Sequence, residues 1–271
     1  MKLLTLNTHS LIEKEYEKKL KTLTDFICEE KPDLIALQEI MQPIKNSKSD
    51  YFYYNLGKIP LKEGNHALNI INSLDKRGVK YNLIWLGIKK SYDIYDEGLA
   101  ILTPHRIERA EDVLLSPYDD YDNWKTRKAI GVKIKDMWYY NVHMGWWDDK
   151  ASPFQIELEK LLNHVKGKSD YWLIGDFNSR ADERSKGYDL ILKNGLYDAY
   201  NLAEERDDGV TAYTDIDGWG EKESQGIRID YMLTNKNRKI KSIRAVFNGI
   251  KEEKISDHNG ILLITESKEE R

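Results

Sequence analysis

The feature that most constrains the fold is the number of short strand-like runs, which far exceeds what one doubly wound sheet needs. Helix-like periodicity is confined to 13–30, 65–77, 153–166 and 185–194. Helices alternate with strands in the first third, but the middle is strand-rich in a way that a purely parallel sheet would not produce. The sequence therefore predicts an α/β fold, a four-layer α/β/β/α sandwich with two mixed β-sheets packed face to face and helices outside. The strand-like runs lie at 2–7, 33–38, 81–88, 97–103, 106–115, 128–135, 137–143, 170–175, 227–233, 240–247 and 260–265.

Length and composition indicate a soluble globular protein. The 271 residues lie within what one hydrophobic core supports, roughly 250–300 residues, and no linker-like segment interrupts them, so we expect a single domain over 1–271. No apolar run is long enough to span a membrane. The first seven residues lack the features of a signal peptide, so we expect a cytoplasmic protein without a membrane partner. No obligate protein partner is evident.

The charge balance bears on polyanionic partners. With 42 basic and 46 acidic residues the formal net charge is −4. This balance offers no overall attraction to a polyanion, although a local basic groove remains compatible with it. It therefore disfavours nucleic acid without excluding it. The single cysteine, Cys28, rules out a disulfide or a thiolate metal cluster within one chain.

Polar groups recur at the ends of the apolar runs, where strands end and reactive groups are often held. Any one of them could belong to an ordinary turn or loop, because Asp and Asn favour such positions. Their repetition is harder to explain by turns alone. Oxygen donors of this kind suit Mg²⁺, with Mn²⁺ as an alternative, whereas the histidines lack the close pairs of a zinc hydrolase. The oxygen donors are Asn7, Glu39, Asp176, Asn178, Asp230 and Asp257.

Two histidines also lie next to the ends of apolar runs or beside the oxygen donors. His143 ends the run 137–143, and His258 directly follows Asp257. An imidazole beside a metal can hold a phosphoryl oxygen as charge shifts in the transition state, and Asp230 could orient His258 through its other ring nitrogen. The remaining histidines, His9, His66, His105 and His164, have no comparable context, and we interpret them as surface or packing residues.

The motifs that contain these residues resemble those of the endonuclease/exonuclease/phosphatase superfamily, in the family's order and over essentially the whole chain. The resemblance implies a DNase I-like fold and a hydrolase of phosphate esters that uses in-line attack of water. The matching motifs are Leu6-Asn7-Thr8, Leu37-Gln38-Glu39, Asn141-Val142-His143, Gly175-Asp176-Phe177-Asn178, Arg228-Ile229-Asp230-Tyr231 and Ser256-Asp257-His258.

The resemblance also implies roles for single residues. Glu39 with Asn7 would form the Mg²⁺ site, and Asp257 would be an additional metal contact. Asp176 would activate or align the attacking water, and Asn178 would help to position it. His143, and His258 supported by Asp230, would hold phosphoryl oxygens. The proton acceptor and the number of metal ions stay open.

Further residues bear on the substrate. Arg127 resembles a family arginine near the scissile phosphate, although an exposed strand-end charge is an equal interpretation. Trp146 and Trp147 could stack on a sugar, with Asp148, Asp149 or Asp217 accepting hydroxyl hydrogens, or they could be core residues or a platform for nucleobases. Trp124 and Trp219 are weaker candidates of the same kind.

Substrate class follows from a finer resemblance. Residues 4–10 and 142–147 are similar to a branch of the superfamily that acts on maltose 6′-phosphate. We therefore expect Mg²⁺-dependent hydrolysis of a phosphate monoester, with a phosphorylated disaccharide as small-molecule partner. The alternatives are a phosphodiesterase of the DNA-repair nuclease or sphingomyelinase type, and a catalytically inactive binding module.

Overall fold

A computed structural model describes residues 1–216 and 224–266, with strands numbered along the chain. Sheet 1 contains eight strands in the order β11-β15-β16-β1-β2-β5-β4-β3. Within it β1 runs parallel to β2 and antiparallel to β16, so the sheet is mixed. Its strands are β1 Lys2–Asn7, β2 Leu34–Pro43, β3 Tyr54–Asn55, β4 Asn82–Ser91, β5 Tyr95–Thr103, β11 Ala203–Arg206, β15 Ile240–Val246 and β16 Gly260–Thr265.

Sheet 2 contains six strands in the order β10-β14-β9-β8-β7-β6. It is also mixed, because β8 and β9 are parallel while β9 and β14 are antiparallel. Two further strands, β12 Ala212–Tyr213 and β13 Gly226–Ile227, pair separately. The sheet 2 strands are β6 Arg109–Leu114, β7 Lys128–Ile134, β8 Met137–His143, β9 Tyr171–Asp176, β10 Tyr197–Asp198 and β14 Asp230–Thr234.

Helices cover the outer face of each sheet. The first two helices, α1 Tyr16–Glu30 and α2 His66–Asp75, form one hydrophobic cluster with sheet 1. Helices α3 Phe154–Val165 and α4 Gly187–Lys193 form a second cluster with sheet 2. A 3₁₀ turn, Ser10–Ile12, follows β1, and a short helix, α5 Ala199–Leu202, follows β10.

Side-chain alternation along the strands builds the layers. In β2, Leu34 and Ala36 point into the cluster between the two sheets, whereas Ile35 and Leu37 point toward α1 and α2. A strand buried on both faces is apolar at consecutive positions, which explains the unbroken apolar runs. The predicted four-layer α/β/β/α sandwich is confirmed.

The predicted end of the strand that precedes Glu39 is wrong. The run 33–38 was expected to end before Glu39, but β2 continues to Pro43 and the pairing with β5 shifts register between Leu37 and Ile40. Glu39 lies in this β-bulge with φ +52°. A bulge lets a strand continue while one side chain is re-aimed, so Glu39 is placed within the strand instead of beyond it. Among the described residues, no helix combines the length and hydropathy needed to cross a membrane.

Candidate active site

The candidate site lies at one rim of the sandwich, where strand ends of both sheets meet. In sheet 2 the register places His143, the last residue of β8, beside Asp176, the last residue of β9. Asp230, the first residue of β14, lies on the other side of Asp176. Sheet 1 contributes Asn7 from the end of β1 and Glu39 from the bulge. Residues far apart in sequence thus share one rim.

One carboxylate oxygen, Oδ2 of Asp176, is the centre of this arrangement. The Asn7 amide donates to it at 3.1 Å. The Nε2 atoms of His143 and His258 lie 3.6 and 3.9 Å away. Asp176 is only 1% exposed. Burial, with the charge of Asp230, raises the pKa of Asp176 to about 7, so its carboxyl group can exchange a proton near neutrality.

His258 and Asp230 form a buried dyad. The Nδ1 atom of His258 lies 3.0 Å from Oδ2 of Asp230. Burial opposes the charged imidazole, but the Asp230 carboxylate and its hydrogen bond dominate and raise the pKa of His258 well above its usual range. The dyad therefore presents a positively charged Nε2–H toward Asp176.

The pKa of His143 is shifted in the opposite direction to that of His258. Burial lowers the pKa of His143 well below its usual range, and the positive charges of Arg127 and Lys89 add to the effect. Its ring is neutral at physiological pH. The Nε2 atom lies 4.0 Å from Oε1 of Glu39 and so spans the two sheets.

The backbone around Asp176 is tightly specified. Oδ1 of Asp176 accepts the Asn178 N–H at 2.8 Å, and the Asn178 side chain donates to the Met144 carbonyl at 2.9 Å. Gly175 has φ +136°, and a Cβ there would lie 2.1 Å from the Val142 carbonyl oxygen. Only glycine fits this position without displacing the strand that carries Asp176.

The remaining predicted metal ligands form a more open part of the site. Glu39 and Asp257 are each 22% exposed, in contrast to Asp176. Burial raises the pKa of Glu39, with further contributions from Glu97 and Asp257. The Asn7 amide also donates to Glu39 at 3.0 Å. Ser256 donates to the Asn7 carbonyl at 2.7 Å and thereby holds the loop of Asp257 and His258 against β1.

Among the predicted substrate residues, Arg127 and Trp146 lie beside each other, whereas Trp147 packs on a helix. Arg127 is 4% exposed and its guanidinium carbon lies 6.0 Å from the ring of Trp146. Trp147 instead packs on Phe154 of α3, with 6.1 Å between ring centroids. Asp149 accepts Lys125 at 2.7 Å and two backbone N–H groups, so its oxygens are engaged. Asp217 and Trp219 lie outside the described residues.

Comparison with known proteins decides the family. The family described as Endonuclease/Exonuclease/phosphatase matches residues 4–258. The chain belongs to this family. An endonuclease/exonuclease/phosphatase family protein from Leptotrichia buccalis is 29% identical, with 98% of this chain and 100% of that chain covered and a TM-score of 0.89. A search of curated proteins gave no significant match.

More distant family structures share the fold. A mannosyl-6-phosphatase from Bacteroides thetaiotaomicron is 17% identical over 98% of this chain and 100% of that one, with a TM-score of 0.67. A 3′ phosphatase from Neisseria, bound to a product DNA hairpin, is 18% identical with the same coverages and a TM-score of 0.65. At these identities the likeness concerns the fold alone.

Three residues near the site were not singled out from the sequence. Nδ1 of His9 lies 2.6 Å from Glu13 and 3.9 Å from Asp257. Burial opposes its charge, but the Glu13 hydrogen bond and the nearby site carboxylates raise the pKa of His9 to about 9. The local pattern distinguished His9 from surface histidines only by its position two residues after Asn7.

The other two form a buried ion pair between neighbouring strands. Lys89 of β4 and Glu97 of β5 lie 3.1 Å apart, and each side chain is 8% exposed. Buried charges are rare and usually paired, but burial cannot be read from an isolated Lys or Glu. Gly98, the next residue of β5, lets β4 approach closely, because a Cβ there would lie 1.9 Å from the Leu86 carbonyl oxygen.

Proposed function

We propose that this protein is a cytoplasmic, Mg²⁺-dependent phosphatase that hydrolyses a phosphate monoester of a small sugar, with maltose 6′-phosphate as the favoured substrate. The observation that carries the proposal is the convergence of Asn7, His143 and His258 on one oxygen of Asp176. A neutral imidazole, a charged imidazole and an amide around a carboxyl group with a pKa near 7 suit phosphoryl transfer to water.

The residues at the open part of the site fit a divalent cation. Glu39 and Asp257 repel each other and raise the Glu39 pKa, so a cation between them would relieve an existing cost. Their oxygens, with the side-chain oxygen of Asn7, form the hard donor set that Mg²⁺ prefers, and Mn²⁺ accepts the same set. When bound, the ion supplies charge neutralisation for the phosphoryl oxygens.

The chain's own groups perform the remaining steps. Asp176 holds the attacking water and accepts its proton as the bond from water to phosphorus forms and the bond from phosphorus to the sugar oxygen breaks, and the departing sugar oxygen takes a proton from solvent. Asn178 fixes the orientation of the Asp176 carboxylate through its N–H. The charged Nε2–H of His258 binds a phosphoryl oxygen as negative charge develops. Asp230 keeps this imidazole charged and oriented. His143 contributes a neutral contact from the other side.

Positive charge near His143 favours a monoester over a diester. Both Arg127 and Lys89 lie close enough to His143 to lower its pKa. A phosphate monoester carries one more negative charge than a diester at neutral pH, so the charge of Arg127 favours the doubly charged substrate, whereas the charge of Lys89 is already paired with Glu97. Within residues 1–216 and 224–266, Arg127 Nε and Trp146 Nε1 are buried and have no hydrogen-bond partner.

A sugar as the leaving group is supported by the aromatic surroundings. Trp146 lies beside Arg127, where an indole face can pack on a pyranose ring. The mannosyl-6-phosphatase among the family structures is named for such a substrate. The Neisseria structure is bound to a DNA product, so DNA ends must be tested alongside.

The test is a substrate panel with the purified protein and Mg²⁺. Phosphate release is measured from maltose 6′-phosphate, glucose 6-phosphate and a 3′-phosphorylated DNA hairpin. Cleavage of an abasic-site duplex, bis(p-nitrophenyl) phosphate and sphingomyelin is measured in parallel. We expect the sugar monoesters to give the highest kcat/KM and Asp176→Asn to abolish turnover. Turnover of DNA or a diester alone would refute the sugar phosphatase, and absence of any turnover would favour the binding module.

A further inference from the structure

Trp124 extends the candidate site away from the reacting centre. This tryptophan is 53% exposed, although large apolar side chains are usually covered. Its ring meets Trp146 edge to face, with centroids 5.9 Å apart and planes at 62°. Trp146 in turn lies beside Arg127. The three side chains thus form a row that begins next to the phosphoryl site and ends at solvent.

The backbone of Trp124 is tied to the site cations. Its carbonyl oxygen accepts Nζ of Lys89 at 2.7 Å and the Arg127 guanidinium at 3.0 Å. These two side chains also act on His143. The backbone that carries the exposed ring is therefore held beside these site cations.

A second set of contacts joins the loop of Trp124 to the loop of Trp146. Nζ of Lys125 lies 2.7 Å from Asp149. Behind that loop, Glu157 of α3 accepts the Gly145 N–H at 2.7 Å and the Ser152 hydroxyl. An aromatic surface held in place before a ligand arrives loses little conformational freedom on binding.

We propose that Trp124 forms a subsite for the second, unphosphorylated hexose of a phosphorylated disaccharide, while the phosphorylated hexose lies against Trp146. The proposal rests on the proposed function and specifies how that site reads its substrate. The apolar face of a pyranose packs on an indole, and the edge-to-face contact between Trp124 and Trp146 makes the exposed ring a continuation of the aromatic surface beside Arg127. Trp124 would then determine the preference for a disaccharide over a monosaccharide.

The experiment compares Trp124→Ala with the parent protein on maltose 6′-phosphate, glucose 6-phosphate and p-nitrophenyl phosphate. We expect KM for the disaccharide to rise roughly three- to tenfold with kcat nearly unchanged, because one ring contact is lost away from the reacting bond. KM for the other two substrates should stay within about twofold. Trp124→Phe should restore part of the disaccharide affinity, since it keeps an aromatic face.

Tyr197→Ala is the matched control, because Tyr197 is also an exposed aromatic but pairs with Thr234, at the far end of β14 from Asp230. It should leave KM and kcat for all three substrates unchanged.

Equal KM increases for the disaccharide and the monosaccharide, or no change for either, would overturn the subsite. So would weaker binding of single-stranded DNA by Trp124→Ala with sugar phosphates unaffected. A parent protein that hydrolyses neither sugar phosphate would refute the proposed function, whereas a parent that prefers the disaccharide, with an unaltered Trp124→Ala variant, would refute only the subsite.

Discussion

Asn141→Ala is expected to destabilise the protein strongly, although Asn141 lies beneath the site and contacts no reacting group. Asn141 of β8 is fully buried between the sheets. Its amide nitrogen donates to the carbonyls of Leu37 and Ala100, each at 2.9 Å. These two residues are paired at the point where the β-bulge interrupts the β2–β5 register. The side chain of Asn141 therefore bonds two strands of the opposite sheet.

The magnitude follows from the hydrogen bonds that are lost. Alanine would remove the side-chain donor from two buried carbonyl oxygens, at roughly 1–3 kcal/mol each. Gln38, which donates to Asn141 Oδ1 at 2.6 Å, keeps its contacts with Thr5 and the Ala36 carbonyl, so its loss is smaller. We therefore expect the free energy of unfolding to fall by about 3–4 kcal/mol, which is more than a hundredfold in the folding equilibrium.

The measurement is equilibrium urea unfolding followed by tryptophan fluorescence, since Trp85 and Trp172 are fully buried. Divalent ions must be absent, because ligand binding would stabilise the folded state and mask the change. Asn194→Ala is the control. Its exposed amide donates to the Leu190 carbonyl within the end of α4, and its removal should change stability by no more than about 0.5 kcal/mol. A loss below about 1 kcal/mol for Asn141→Ala, with an unchanged m value, would refute the argument.

Three further predictions concern the site and the pH dependence. His258→Ala should lower kcat by about a hundredfold or more, and it should also lower the melting temperature because the buried Asp230 carboxylate loses its partner; near-parental kcat in the folded variant would remove His258 from the mechanism. Glu39→Gln should raise the Mg²⁺ concentration needed for half-maximal activity, and an unchanged requirement would place the ion elsewhere. Burial lowers the pKa of His66 to about 4, so its stability contribution is complete above pH 6.5 and is lost as pH falls toward 4, by about 3 kcal/mol. In urea unfolding from pH 7 to 4, His66→Gln should flatten this slope, and a slope equal to the parent's would contradict the assignment.

Most of the fold could be predicted because its longer strands appear in the sequence as short apolar runs without helical periodicity. An apolar run such as 170–175 is short, lacks helical periodicity and ends in Asp176, and the structure has β9 at Tyr171–Asp176. The two-residue strands, such as β3 and β10, could not be predicted, because their pairing depends on neighbours that lie far away in sequence. The candidate site residues could be listed because they stand at the ends of these apolar runs. The distances between their side chains could not be predicted from the sequence.

The local sequence pattern could not predict the backbone conformation that directs the site side chains toward one another. Glu39, Asn178 and His9 all have positive φ, at 52°, 46° and 46°, in the left-handed region. Such a conformation costs a non-glycine residue of order 1 kcal/mol or more, so local preference argues against each of them. Tertiary contacts must offset this conformational free energy. At Glu39, the hydrogen bonds from Asn141 in the other sheet to the Leu37 and Ala100 carbonyls stabilise the bulge. The bulge that turns Glu39 into the site is thus stabilised by a residue about a hundred positions away, and a reading confined to neighbouring residues had no means of finding it.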